Sequence, residues 1–422
     1  MEFLKDIALP QSAEHIQLLH YMLILVLFLF VPFISVIFWG TGISLYFKSK
    51  EIRELDDNCR KFSKDIIELV TINKSVGIIL GVVPLLTSIL IFAQLFQGTE
   101  GSNLNYLSTS LVLVIIALLF IYNYRYSFGE LRKQSVSSGV FGFIMLFVSL
   151  WFFSTGLTEA VFYNYWKATG TLSDLFSPLT IIRFLFLLVS SLALTGGAVL
   201  FGFFYLEGKK ETLTEDYAVF IKRKTISITF AATVLIPLLM FINLFIVPGS
   251  MLSGAVFAYI IIGLFLLFLG YHFLYMIFAR FSSKFTALLF FTLLFLVMSI
   301  IINDQLVISN ATKVNSAMLA NQYDEMLKEL KGVESPAELN GEEIYKVRCA
   351  SCHKFDQKLV GPPHNEVVPK YFGKEKQLIA YIRNPVKVDP NYPPMPNPGL
   401  RPNEAKAIAD YILEKVKENV GQ

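Results

Sequence analysis

Eight long apolar runs follow one another between residues 20 and 303, and they constrain this chain more than any other feature. They cover 20–47, 75–97, 106–124, 138–157, 177–206, 225–247, 252–279 and 284–303. Each holds the roughly 20 apolar residues needed to cross a hydrocarbon core of about 30 Å. One such run is compatible with a buried helix of a soluble domain; eight in succession require a bilayer. Composition agrees, with 54% hydrophobic residues, 39 phenylalanines and only 16% charged residues in 422. A chain in lipid must satisfy its backbone hydrogen bonds internally, so these runs read as helices. Pro32, Pro84 and Pro237 lie inside them and predict kinks that a surrounding bundle tolerates.

The loops between the runs are unequal in charge. Loop 48–74 carries Lys48, Lys50, Arg53, Arg60, Lys61, Lys64 and Lys74, and loop 125–137 carries Arg125, Arg132 and Lys133. Loop 207–224 adds Lys209, Lys210, Lys222, Arg223 and Lys224, and the next on that side has Arg280 and Lys284. The opposite loops hold Lys167 alone, and the N-terminal tail Lys5. The positive-inside rule therefore places both termini outside the cytoplasm, as an even number of spans requires. Residues 1–19 are too polar for a signal peptide, so the first run is expected to remain as a helix. A net charge of +3 gives no reason to expect a nucleic-acid partner.

Near residue 303 the composition changes, and the chain becomes polar, with Pro, Lys and Asp spread throughout. We read 1–303 as a membrane domain, 304–337 as a linker and 338–422 as a second domain. Within the linker, Gln305–Lys331 suits an amphipathic helix with Leu306, Met318, Leu319, Tyr323 and Met326 near one side, ended by Gly332 and Pro336.

The second domain contains Cys349-Ala350-Ser351-Cys352-His353, the C-x-x-C-H spacing of c-type haem attachment. Two thiols one turn apart can form thioethers with the haem vinyl groups, leaving His353 as proximal iron ligand. A zinc pair would need two further ligands. Cys59 belongs to the opposite side of the membrane, and only His364, expected at the surface, lies nearby.

Over residues 338–420 the sequence resembles the class I cytochrome c family. Glu342–Ala350 matches the family's first helix, with Ile344 and Tyr345 inward, and Gly361-Pro362 matches the Gly-Pro that follows the haem motif. The resemblance implies that the Pro362 carbonyl takes a hydrogen bond from the proximal imidazole of His353. Tyr392-Pro393-Pro394-Met395-Pro396 resembles the distal loop and implies Met395 as sixth ligand; it is also the only methionine after the haem motif. A helix from Pro402 to about Lys417, with Ile408, Tyr411 and Ile412 on one face, resembles the C-terminal helix that packs across the first. His/Met ligation implies a six-coordinate iron of raised potential. Such a domain carries single electrons.

Eight helices exceed what an anchor needs. A b-type haem or a quinol in the membrane domain stays open, although His20 and His272 stand at different depths and His15 lies in the tail. Met145, Met240, Met251, Met276 and Met298 are spread without a pattern that selects one. Phe28-Leu29-Phe30-Val31-Pro32 resembles the first helix of the cytochrome bd oxidase large-subunit family, but Leu27 occupies the position of that family's haem-ligating histidine. Glu159 and Arg183, with His20 on the same side, stand where a quinol site would want a proton acceptor, and are preferred as interfacial residues; Phe162, Tyr163, Tyr165 and Trp166 fit an aromatic belt better than a binding box.

The expected fold is all-α: an eight-helix transmembrane bundle followed by a small class I cytochrome c domain. The expected function is that of a membrane-bound monohaem c-type cytochrome in a bacterial inner membrane, its haem domain periplasmic. As an electron-carrying subunit of a respiratory complex, it would pass electrons from a quinol-linked membrane donor to a periplasmic acceptor or terminal oxidase. Lipid, respiratory-chain subunits and soluble redox proteins are the expected partners. Two alternatives stay open: a bd-like quinol-oxidising subunit with additional b-type haem, and a transporter or scaffold fused to a cytochrome c.

Overall fold

The computed structural model describes residues 9–54, 56–97, 99, 103–128, 132–162, 172–206, 213–330, 340–390, 392–400 and 402–420. Tyr163, Tyr165 and Trp166 of the expected belt, and Gly332 and Pro336 of the linker, lie outside them. The described residues are helical without a strand, and they form two compact units, Met1–Tyr323 and Asp324–Gln422.

In the first unit, eight helices are long and apolar enough to cross a membrane. They are α1 (Ala13–Glu54), α3 (Lys74–Leu95), α4 (Asn103–Tyr126), α5 (Arg132–Phe162), α6 (Pro178–Phe204), α7 (Glu215–Ile246), α8 (Gly254–Ala279) and α9 (Ser283–Ala311). Helices α1, α6 and α9 touch one another pairwise, α4 and α5 form an extensively packed hairpin, and α7 and α8 are the least buried spans. Small polar side chains bond where helices approach. Ser110 and Ser149 pair at 3.0 Å between α4 and α5, and Ser35 and Ser191 at 2.8 Å between α1 and α6. Such pairs add direction to packing that lipid does not drive. Pro32 and Pro237 sit inside α1 and α7. Ahead of Pro84 the chain forms a π-helical turn, Ile78–Val82, where the proline ring meets the preceding turn.

Two sequence boundaries shift. Segment 48–74, expected to be a loop, contains helix α2 (Asp57–Val70). Asp56 caps it by accepting from the Asn58 N–H at 2.9 Å, and Cys59, Phe62, Ile66 and Ile67 are buried along one face. The charged residues Arg60, Lys61 and Lys64 hide that amphipathic face in a hydropathy average. The last span does not end near 303. Helix α9 continues to Ala311, with Gln305, Val307 and Ile308 buried, and the chain breaks at Thr312 before α10 (Lys313–Leu330).

The second unit contains α11 (Gly341–Arg348), α12 (Glu375–Arg383) and α13 (Pro402–Val420). Helix α13 packs against both of the others. Its buried face is Ala405, Ile408, Ala409, Ile412, Leu413 and Val416, a helical spacing against which Tyr345 and Leu378 close. At the crossing of α11 and α13, a Cβ on Gly341 would lie 2.2 Å from the Ala407 carbonyl oxygen. Only glycine permits this approach. Helix α12 goes beyond the sequence reading; Leu378 and Ile382, one turn apart, are its buried residues, and Ile379 packs beside them.

Candidate functional site

The C-x-x-C-H segment begins as α11 ends. Cys349 N–H bonds the Tyr345 carbonyl at 2.8 Å, and the Cys352 and His353 N–H groups both bond the Cys349 carbonyl at 3.0 Å. These bonds wind residues 349–353 into a tight turn. Tyr345, buried beneath it, donates to the His353 carbonyl at 3.0 Å. The following chain returns alongside: Gly361 N–H bonds the Cys352 carbonyl at 2.8 Å, and His364 N–H the Lys354 carbonyl at 3.0 Å.

That return fixes the imidazole. His353 Nδ1 lies 3.1 Å from the Pro362 carbonyl oxygen. A carbonyl can only accept, so Nδ1 carries the proton and Nε2 keeps its lone pair. Gly361 makes the approach possible, because a Cβ there would stand 2.2 Å from His353 Cε1 and 2.7 Å from Nε2. His364, expected at the surface, is instead buried and stacks on His353 with ring centroids 4.9 Å apart. Burial, with a smaller contribution from His353, pushes it down to about 3, so it is uncharged at neutral pH. It supports the His353 imidazole from beside it.

Cys349, Cys352, His353, Pro362 and Met395 all line one cavity of about 360 Å³. Its apolar wall includes Leu378 and Ile382 of α12 and Ile408 and Ile412 of α13. Burial, then the neighbouring Cys352, pushes the Cys349 thiol up to about 11. The pocket is suited to a large, flat, apolar group that meets two thiols, one imidazole nitrogen and one thioether sulfur. This donor set, with an apolar lining and a pre-oriented imidazole, fits haem c. The distal loop closes the cavity with Tyr392, Pro393, Pro394 and Pro396 around Met395, and φ is fixed at each proline.

In the membrane unit the structure gathers residues that sequence spacing keeps apart. Arg183 on α6, read as interfacial, forms an ion pair with Asp304 on α9, a residue assigned to the linker. Glu159 is buried, while His272 is exposed on α8. Leu27, Val31, Ser190, Asn243, Arg183, Asp304 and Gln305 border a cavity of about 130 Å³.

The family model described as cytochrome c oxidase, cbb3-type, subunit III matches residues 336–412. Cytochrome c-551 of Pseudomonas denitrificans is 40% identical over 78 residues, 17% of this chain and 94% of that protein. Cytochrome c-551 of Azotobacter vinelandii is 39% identical over 77 residues, again 17% of this chain and 94% of the relative. Cytochrome c-552 of Nitrosomonas europaea is 33% identical over 73 residues, 16% of this chain and 70% of the relative. No solved structure matches the chain.

Proposed function

Because this chain belongs, through its C-terminal domain, to the cytochrome c family, we propose that it is the electron-relaying subunit of a respiratory membrane complex. It is a multi-pass membrane protein by its eight apolar helices, and its C-terminal domain binds haem c covalently and transfers electrons. The observation that carries the proposal is the convergence of Cys349, Cys352, His353 and Met395 on one cavity, in a chain whose membrane unit has far more helices than an anchor needs.

Cys349 and Cys352 would hold the haem through thioethers, and His353 and Met395 would ligate its iron. The Pro362 carbonyl holds the Nδ1 proton and leaves Nε2 free for iron. When bound, the haem would supply a one-electron couple. The protein's part is to fix the ligands, exclude water with the apolar wall and set the potential. The donor is a quinol-linked membrane species, and the acceptor is a periplasmic redox protein or terminal oxidase. The loop charges support an extracytoplasmic haem domain. We assign 338–422 to the cytochrome domain in this scheme, and the membrane domain extends past residue 303 to the end of α9 at Ala311.

The test is a pyridine haemochrome spectrum of the purified full chain, reduced with dithionite, with haem quantified per chain. One haem c and no haem b is the expected result. Stoichiometric haem b would instead favour the bd-like reading, in which the bundle itself is a redox unit. Absence of haem c from a host competent to mature it would sink the proposal.

A further inference from the structure

The cavity of about 130 Å³ in the membrane unit is lined by residues of α1, α5, α6, α7, α8 and α9. Along each span these residues fall towards one end of the bundle, the end at which α1 begins and α9 finishes. Gln305 is six residues before the end of α9, about 9 Å along the helix axis. Gln305 therefore lies between one and two helical turns inside the end of α9.

Its walls are mainly apolar, with Leu27, Val31, Phe153, Phe186, Leu244 and Val297 among them. Against that background Gln305 is unusual. It is 2% exposed, lines the cavity, and neither its amide oxygen nor its amide nitrogen has a protein partner. The Ser190 hydroxyl, also on the cavity wall and buried, is likewise without one. Leaving such groups dry costs about 1–3 kcal/mol each. A residue carrying both a donor and an acceptor into an apolar chamber is complementary to a ligand that also carries both.

Charge narrows the ligand class. Arg183 is the cation on the cavity wall, and Asp304 neutralises it, so the site offers no net charge to a phosphate headgroup. Access narrows it further. Helices α7 and α8, which contribute Met240, Asn243, Val256 and Ile260, are the spans with the smallest buried share. Their outer faces carry exposed apolar side chains such as Phe241, Phe245, Phe257 and Ile261, a surface suited to lipid, and this favours a ligand that partitions into the bilayer. A neutral, bilayer-soluble molecule with hydrogen-bonding oxygens on a flat apolar body meets these conditions together.

We propose that this cavity binds the head group of an isoprenoid quinone or quinol, with Gln305 and Ser190 as its hydrogen-bonding partners. The choice of a quinone over other neutral amphiphiles rests on the electron-relay reading of the chain; the built pocket and its unpartnered amide do not.

The experiment uses the full-length, haem-loaded protein in lipid nanodiscs, with decylubiquinone as probe and binding followed by titration calorimetry. One saturable site per chain is expected. Gln305→Leu removes the amide at similar volume, and Ser190→Leu fills the chamber. Each should weaken binding about tenfold or more, as the loss of roughly one buried hydrogen bond requires. The thermal stability of Gln305→Leu should hold or rise, because an unpartnered amide is removed, and its haem spectrum should not change. A purely structural glutamine would lose stability and leave the affinity alone. Absence of saturable binding to the wild type, or unchanged affinity in both variants, overturns the site. So does displacement of decylubiquinone by added phospholipid, which would identify a lipid as the occupant. Reduction of the haem by decylubiquinol separates the two readings. Tight, Gln305-dependent binding without haem reduction keeps the site and removes the quinol-linked donor. Haem reduction at an undiminished rate in both variants keeps that donor and removes the site.

Discussion

The two units solve the placement of polar chemistry in opposite ways. In the haem domain it is local: five consecutive residues supply both thiols and the imidazole, and the chain returns at Gly361-Pro362 to orient them. In the membrane unit the cavity's polar groups come from different helices, Ser190 and Arg183 from α6, Asn243 from α7, and Asp304 and Gln305 from α9. The difference follows from the solvent. A small domain in water can place a motif on one turn and bury it beneath a single cofactor-sized wall. A chain in lipid spreads costly polar residues thinly and lets packing assemble them. Sequence spacing therefore reports the first kind of site and conceals the second.

The sharpest break of this comparison removes the local motif. Replacing Cys349 and Cys352 together by alanine should abolish covalent haem, measured by haem-dependent staining after denaturing electrophoresis. The bundle, whose core residues are its own, should still purify as a folded species by size-exclusion chromatography. Collapse of both units would show that the membrane domain depends on the cytochrome, contrary to the separate cores found for each.

A graded change tests the distal loop. Met395→His should keep a six-coordinate haem but lower its midpoint potential by a substantial part of the roughly 0.8 V range that axial ligands span. Redox titration of the full chain reads it. An unaltered potential would mean that the sulfur of Met395, although it lines the cavity, is not a ligand.

The helical architecture was plain from hydropathy, and the thiols, His353, Pro362 and Met395 came from motif and resemblance. The parts not seen have physical causes. His364 is polar by composition, yet it is buried because it stacks on His353 beneath Tyr345 and Phe355. Helix α12 is short, nine residues from Glu375 to Arg383, so its apolar spacing from Leu378 to Ile382 covers little more than one turn. Asp304 and Gln305 lie just past the last apolar run, so a hydropathy reading gives them to the linker. The helix instead carries them into the bundle, where Arg183 meets one of them. Membrane sites of this type are invisible to an average over apolarity, because polar side chains are what the average uses to end a span.

Close packing offers a smaller but cleaner perturbation. Gly341→Ala sets a Cβ against the Ala407 carbonyl, a backbone atom that cannot swing aside, and Gly361→Ala sets one against His353. Each should destabilise the haem domain by about 1–3 kcal/mol, the usual cost of overpacking. The two should differ in optical signature when thermal unfolding is followed at the haem absorption band. Gly341→Ala should lower the transition and leave the native spectrum intact, whereas Gly361→Ala should also alter the spectrum by moving the imidazole. Equal spectra would show that the ring has room the structure does not give it.

The smallest effect bears on how the membrane unit is held together. Ser110 and Ser149 are fully buried and bond across the α4–α5 hairpin, and the Ser149 hydroxyl also reaches the Ser110 carbonyl at 2.9 Å. Interhelical bonds of this kind average about 0.6 kcal/mol in lipid, because the separated helices also find partners. A double-mutant cycle of Ser110→Ala and Ser149→Ala, measured by reversible unfolding of the full chain in mixed micelles, should return a coupling near that value. A coupling above about 2 kcal/mol would exceed the largest values known for such bonds and make the polar pair, not the packed surface, the clamp of the hairpin. A coupling of zero would leave the hairpin to shape complementarity alone. The expected small value places the bundle between these limits: polar side chains give its helices register, and close contact gives them most of their affinity.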